Sequence, residues 1–181
     1  MKYLLTDEET TRLRFKNVDR ADYGDWFPFF TNPQTNLYWN DERIDAQVEC
    51  TKWYDKQQWR YENNMGGMNT LIEKQSNKLI GHCGLLVQLV DDITELEIGY
   101  SLLPEFWNRG YATEAAQKCR DFAFRNNFAE SLISIISLKN IPSQKVAERN
   151  GMKIEKRTRY HNNDAFIYRL TKEEFNKTLN L

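Results

Sequence analysis

Cysteine is scarce in this chain: three residues among 181, and Cys50, Cys83 and Cys119 stand far apart. An odd, widely spaced set argues against a disulfide framework and offers no metal-ligand spacing. The sequence therefore predicts reduced thiols, a cytoplasmic protein and no bound metal. Proline and glycine are sparse, four and eight residues, and gather into no linker. No internal repeat or low-complexity tract divides the chain, which predicts one domain. No apolar run is long enough to span a bilayer. The opening Met-Lys-Tyr-Leu-Leu gives way at once to Thr-Asp-Glu-Glu, too short and too acidic for a secretory signal. The net charge is −1 with both signs mixed, so nothing in the balance asks for nucleic acid or an anionic membrane as partner.

Aromatic residues are plentiful at 13%, with five tryptophans. At this length they can fill one sizeable core. The periodicity predicts a first strand over 11–16, with Leu13 and Phe15 on one face. Asp19 is placed to cap a helix running to about Phe30. A second helix is expected over 44–63, broken by Gly66-Gly67. Strands at 69–73 and 79–90 read as a hairpin, and 95–102 as the next strand. A helix over 110–126, a buried strand at 132–138 and a helix over 143–150 closed by Gly151 follow. The chain ends with strands at 152–160 and 165–170 and a short helix that Thr171 caps. Antiparallel runs mixed with crossovers predict an α+β fold.

The most informative segment runs Glu97-Ile-Gly-Tyr-Ser-Leu-Leu-Pro-Glu-Phe-Trp-Asn-Arg-Gly110-Tyr-Ala-Thr-Glu-Ala-Ala116. It reads as strand, turn and helix start. The first N–H groups of a helix lack internal partners and carry partial positive charge. A glycine-opened start followed by Ala112 and Thr113 is therefore a seat for a phosphate or pyrophosphate. The same glycine also serves a plain strand-to-helix turn.

This segment resembles the acetyl-CoA-binding motif of the GNAT N-acetyltransferases, most closely the RimJ/RimL type. A second block, Asn140-Ile-Pro-Ser143 followed by Val146-Ala-Glu-Arg-Asn-Gly151-Met152, resembles that branch's later signature. The resemblance covers roughly 11–171, expected as a single N-acetyltransferase domain with 1–10 and 172–181 as terminal extensions packed on or flanking it. It implies the GNAT acyl-CoA N-acyltransferase fold, a mixed central sheet flanked by helices. It also implies transfer of an acetyl group from acetyl-CoA to a primary amine, of a peptide or a small molecule, by a monomer or homodimer. A non-catalytic acyl-CoA-binding or sensor module on the same fold is the alternative.

Roles follow from the same resemblance. The window Trp107, Asn108, Arg109, Gly110, Tyr111, Ala112 and Thr113 would hold the pyrophosphate, mostly through backbone N–H groups. Tyr100, Ser101 and Leu102 would offer a strand edge to the pantetheine arm, with a backbone N–H near Tyr100 facing the thioester oxygen. Gly99 would start the splay of that edge. Glu97 is the first candidate for the base that deprotonates the amine; Glu95 shares its face, and His82 and His161 are weaker. The tyrosine that many members place before the closing glycine is Ala147 here. Asn140 is assigned a hydrogen bond to the cofactor, Ser143 a role near the sulfur, and Lys145 a contact with the adenosine 3′-phosphate. Asn140 and Ser143 equally suit capping of the helix they open. Trp39-Asn40-Asp41-Glu42 is expected to gate the acceptor opposite the turn from Tyr160 to Asp164. Asp41, Glu42, Glu95 and Glu97 predict an acidic mouth suited to a cationic amine.

Overall fold

A seven-stranded mixed sheet in the order β1-β2-β3-β4-β5-β7-β6 organises the molecule. The computed structural model describes residues 2–38 and 45–179. The first four strands, β1 (Leu13–Asn17), β2 (Gly66–Glu73), β3 (Leu79–Val90) and β4 (Ile93–Leu102), are antiparallel neighbours. Strands β5 (Ser131–Ser137), β6 (Lys153–Tyr160) and β7 (Asn163–Thr171) form a second antiparallel group. The two groups join through a parallel contact between β4 and β5. The α+β class and the mixed central sheet flanked by helices expected from the sequence are present.

Helices cover both faces. Alternation along each strand sorts the side chains. On one face Cys83 and Ile98 meet α4 (Tyr111–Arg125), whose Ala115, Ala116, Cys119 and Ala123 are fully buried. Small side chains let this helix lie close to the sheet. On the other face His82 packs between Trp26 and Trp53, with ring centroids at 4.3 and 4.5 Å. Trp26 belongs to α1 (Tyr23–Trp26) and Trp53 to α3 (Ala46–Glu62). Complete burial of an apolar side chain such as Leu71 or Ile98 contributes on the order of 2 kcal/mol. Leu5 and Phe175 join the same core.

The helix expected from Asp19 to Phe30 is instead broken. Asp19 does cap, accepting from the Ala21 N–H at 2.9 Å. The chain then makes a 3-10 turn, α1, and a separate α2 (Pro28–Thr31). Pro28 has no N–H to donate and suits the first turn of a new helix rather than the interior of an old one. The second helix ends at Asn63 and a left-handed Asn64, before the glycines. Gly66 and Gly67 open β2 instead of lying in a loop. The expected cap of the last helix, α6 (Lys172–Leu179), is a reciprocal box: Glu174 N–H donates to Thr171 Oγ1 at 3.2 Å, and Thr171 N–H donates to Glu174 Oε2 at 3.1 Å. The segment Trp39-Asn40-Asp41-Glu42 lies outside the described residues.

Candidate active site

Strands β4 and β5 meet at one register pair, Glu97 opposite Ile133. Just beyond it the Ser134 hydroxyl, not a backbone N–H, donates to the Ile98 carbonyl at 2.9 Å. Backbone groups repeat their direction every second residue along a strand. Tyr100 therefore turns its N–H and C=O the same way as Ile98, into the gap where β5 has diverged. A cleft of about 220 Å³ fills this gap, lined by Glu97 to Ser101 on one side and by Ser134 to Ile136, Asn140 and Ser143 on the other. Gly99 lies at the opening, and a Cβ there would meet Leu86 Cδ1 at 2.8 Å and Met68 Cε at 3.1 Å.

The turn after β4 leads into α4. Asn108 and Gly110 both take left-handed backbone, with φ of 58° and 81°. Gly110 is the N-cap and provides no side-chain cap. The N–H groups of Tyr111, Ala112 and Thr113 thus open the helix without a capping side chain, which suits an anion. Around them the chain is braced. Arg12 donates through Nη1 to the Arg109 carbonyl at 2.9 Å and through Nε to Glu114 Oε2 at 2.6 Å. The Tyr111 ring is buried and its hydroxyl donates to Glu73, so this residue faces the turn with its backbone alone. Trp107 donates its indole N–H to the Leu102 carbonyl at 2.8 Å. Leu102 itself is a core residue. Arg109 lies over the Phe106 ring at 5.5 Å.

Helix α5 (Ile141–Arg149) brings up the far wall. Asn140 is its N-cap, with Oδ1 accepting from the Ser143 N–H at 3.1 Å. Asn140 is thus the helix cap, and because capping uses Oδ1 its Nδ2 group is not spent on that bond; the residue also lines the cleft. The Tyr100 hydroxyl donates to the Ser143 carbonyl at 3.0 Å, and burial pushes its phenol well above the usual value. Lys145 is exposed on α5 and does not line the cleft.

Glu97 is half-buried at the throat of the cleft. Burial raises its carboxyl above the ordinary range, while hydrogen bonds from Gln88 and Ile135 and the charges of Arg60 and Lys56 pull it back. The donors are Gln88 Nε2 to Oε2 at 2.6 Å and Ile135 N–H to Oε1 at 3.4 Å. Glu95 is spent elsewhere: Arg169 clamps it at 2.5 and 3.1 Å. The acidic mouth expected from the sequence is therefore not met among the described residues. Glu95 is neutralised by Arg169, and Glu97 has Lys56 and Arg60 beside it; Asp41 and Glu42 lie outside the described residues. His82 is fully buried and held neutral, its pKa pushed down to about 3 by burial. His161 sits in the β6–β7 turn with φ of 43°.

Gln88 and Arg60 were missed by the sequence reading. The available signal was in α3, where Cys50, Tyr54, Gln57 and Arg60 share the buried face at helical spacing. Two polar residues at core-facing positions mark a polar contact beneath that helix. A second cavity, about 310 Å³, separates Leu37 and Tyr38 from the Arg159 to Asp164 segment. No cluster of three or more His, Cys, Asp or Glu side chains suited to a metal ion occurs among the described residues. No helix among them is long and apolar enough to cross a membrane.

Residues 12–153 match the model of the acetyltransferase (GNAT) domain family. The chain is 29% identical over 163 residues to the uncharacterized protein YkkB of Bacillus subtilis (strain 168), covering 88% of this chain and 92% of that one. Among solved structures, the acetyltransferase from Agrobacterium tumefaciens str. C58 superposes with a TM-score of 0.77 at 24% identity, covering 94% of this chain and 96% of that one. Mycobacterium smegmatis RimJ in complex with CoA-disulfide superposes with a TM-score of 0.74 at 17% identity, covering 90% of this chain and 83% of that one. These two likenesses are of fold, and they agree with the resemblance to the RimJ/RimL type.

Proposed function

Because the chain belongs to the GNAT acetyltransferase family, we propose that it moves an acetyl group from acetyl-CoA to a primary amine by direct transfer in a ternary complex. The observation that carries this reading is the single-pair seam between β4 and β5 set beside an uncapped helix start. Together they offer a strand edge for an amide-bearing arm and a nest of N–H groups for a diphosphate. Acetyl-CoA, when bound, supplies an acetyl group activated as a thioester.

The protein's own groups do the rest. Tyr111, Ala112 and Thr113 donate backbone N–H groups at the diphosphate, with Arg109 adding charge. Tyr100 N–H, aimed into the gap, donates to the oxygen on which negative charge develops. Glu97 takes the proton that the amine must lose. Its raised pKa makes it a stronger base than an exposed carboxylate. Asn140 and Ser143 line the same cleft, and their side chains would serve the leaving sulfur. A free thiol has a pKa of about 8.5, so the thiolate leaves without a strong acid, which fits Ala147 in place of a tyrosine. The amine enters by the cavity between Tyr38 and the β6–β7 turn.

The test has two stages. Acetyl-CoA and CoA should raise the melting temperature where ATP and NAD do not. Thiol release with a panel of peptide and small-molecule amines should then follow acetyl-CoA consumption. Stabilisation without thiol release on any amine would replace transfer with a binding or sensing role.

A further inference from the structure

From Gln88, on the cleft wall beside Glu97, a chain of side chains runs inward that the proposed transfer does not by itself require. Arg60 projects from α3 and is 4% exposed. Its Nη1 donates to the carbonyls of Met65 and Val87 at 3.0 and 3.2 Å, which fixes the plane of the guanidinium. Its Nη2 donates to Gln88 Oε1 at 2.9 Å. Gln88 in turn donates Nε2 to Glu97 Oε2 at 2.6 Å.

The direction of this chain is forced. A guanidinium has donors and no acceptor. The oxygen of the Gln88 amide must therefore face Arg60, and its NH2 must face Glu97. Ile135 N–H points at the other carboxylate oxygen at 3.4 Å. Both oxygens of Glu97 then meet donors from the protein, and each keeps a lone pair for the cleft. A protonated Glu97 would have to turn its O–H away from both donors.

We propose that Gln88 and Arg60 are positioning residues that hold Glu97 as a proton acceptor aimed into the cleft, an inference that rests on Glu97 being the base. Arg60 acts through Gln88 by fixing which end of the amide Glu97 meets. An amide between the two charges transmits orientation without forming the direct ion pair that would neutralise the base. Glu95, two residues away, shows the contrast, since Arg169 grips it directly. Other charged or titratable groups near Glu97 are Lys56 on α3, Tyr160 on β6 and Tyr100 on β4.

The experiment uses Gln88→Glu and Gln88→Leu in the full-length protein. Gln88→Glu turns the donor into a carboxylate that Arg60 still holds, placing like charge beside Glu97. The acid limb of kcat/KM should move up by about 1 pH unit. Gln88→Leu should lower kcat about tenfold with the KM for acetyl-CoA unchanged. The Glu97 carboxyl resonance, followed by 13C NMR across pH in the CoA-bound protein, reads the same shift without turnover. A Glu97 titration in Gln88→Glu that superimposes on the wild type overturns the inference. Full activity in Glu97→Gln would instead remove Glu97 as the base, while the NMR titration still decides whether Gln88 governs its proton.

Discussion

On the two sides of one residue pair, the same strand does opposite things. Below Glu97, β4 is sealed to its neighbours: Glu95 reaches Arg169 of β7, and Arg169 also donates to Ser131 of β5 at 2.6 Å. Above Glu97 the strand leaves β5, and only the Ser134 hydroxyl covers the Ile98 carbonyl before the cleft opens. The closed side spends its carboxylate on an ion pair, whereas the open side leaves backbone groups and a propped carboxylate facing a cavity. An unpaired strand edge away from water is costly, so the parting of β4 from β5 beyond Glu97 supports the proposal that a ligand pairs there.

The largest effect expected separates the two sides by function. Glu97→Gln should lower kcat by about 10²–10⁴-fold, with the dissociation constant for acetyl-CoA unchanged by calorimetry. An equal loss of cofactor affinity would move Glu97 from proton transfer to binding. The next effect tests the core beneath the open side, where His82 lies opposite Ser101. His82 is buried and neutral, with its pKa lowered from 6.5 to about 3. The unfolded chain binds a proton there below about pH 6.5 and the folded chain does not, so stability falls as pH drops through this window. The slope is about 1.4 kcal/mol per pH unit. His82→Leu should flatten the decline in chemical denaturation curves between pH 6.5 and 4. Parallel curves for the two proteins would show that the imidazole is reached by solvent in the folded state.

Much of the open side was legible because its parts are local. The Gly110 start, the Asn140 and Thr171 caps and the Gly151 ending each depend on a few neighbouring residues. Glu97 was singled out through its place on a recognisable strand, and it does line the cleft. The side chains beside it were not, because sheet register brings Gln88 to Glu97 across 9 residues of chain and helix packing brings Arg60 to Gln88 across 28. The pairing of Glu95 was hidden for the same reason: its partner is Arg169, 74 residues away. The broken first helix was foreseeable from Pro28. The Asp91-Asp92 turn, where both residues take positive φ, joins β3 to β4 as a tight hairpin without glycine. Its strand therefore starts at Ile93, earlier than the pattern suggested.

Gly110→Ala probes the far end of the open side. Its φ of 81° is a left-handed position, and a Cβ would stand 3.4 Å from Arg12 Nη2. An L-residue pays about 1–2 kcal/mol in that region, relieved by shifting the helix start away from the ligand. The KM for acetyl-CoA should rise about tenfold with kcat preserved. An unchanged KM would place the diphosphate somewhere other than this turn.

Glu95→Gln should give the smallest change in catalysis and completes the comparison. Glu95 and Arg169 are partly exposed, at 13% and 21%, so losing the charge costs about 1–2 kcal/mol. Arg169 keeps Ser131 and Glu155 as partners, which limits the damage. Because Glu95 points at the sealed seam, kcat should stay within about threefold of the wild type. The melting temperature should fall by roughly 2–8 °C. A catalytic loss in Glu95→Gln comparable with that in Glu97→Gln would mean that the seam below the pair opens during turnover, and that the boundary at Glu97 is a feature of the resting state alone.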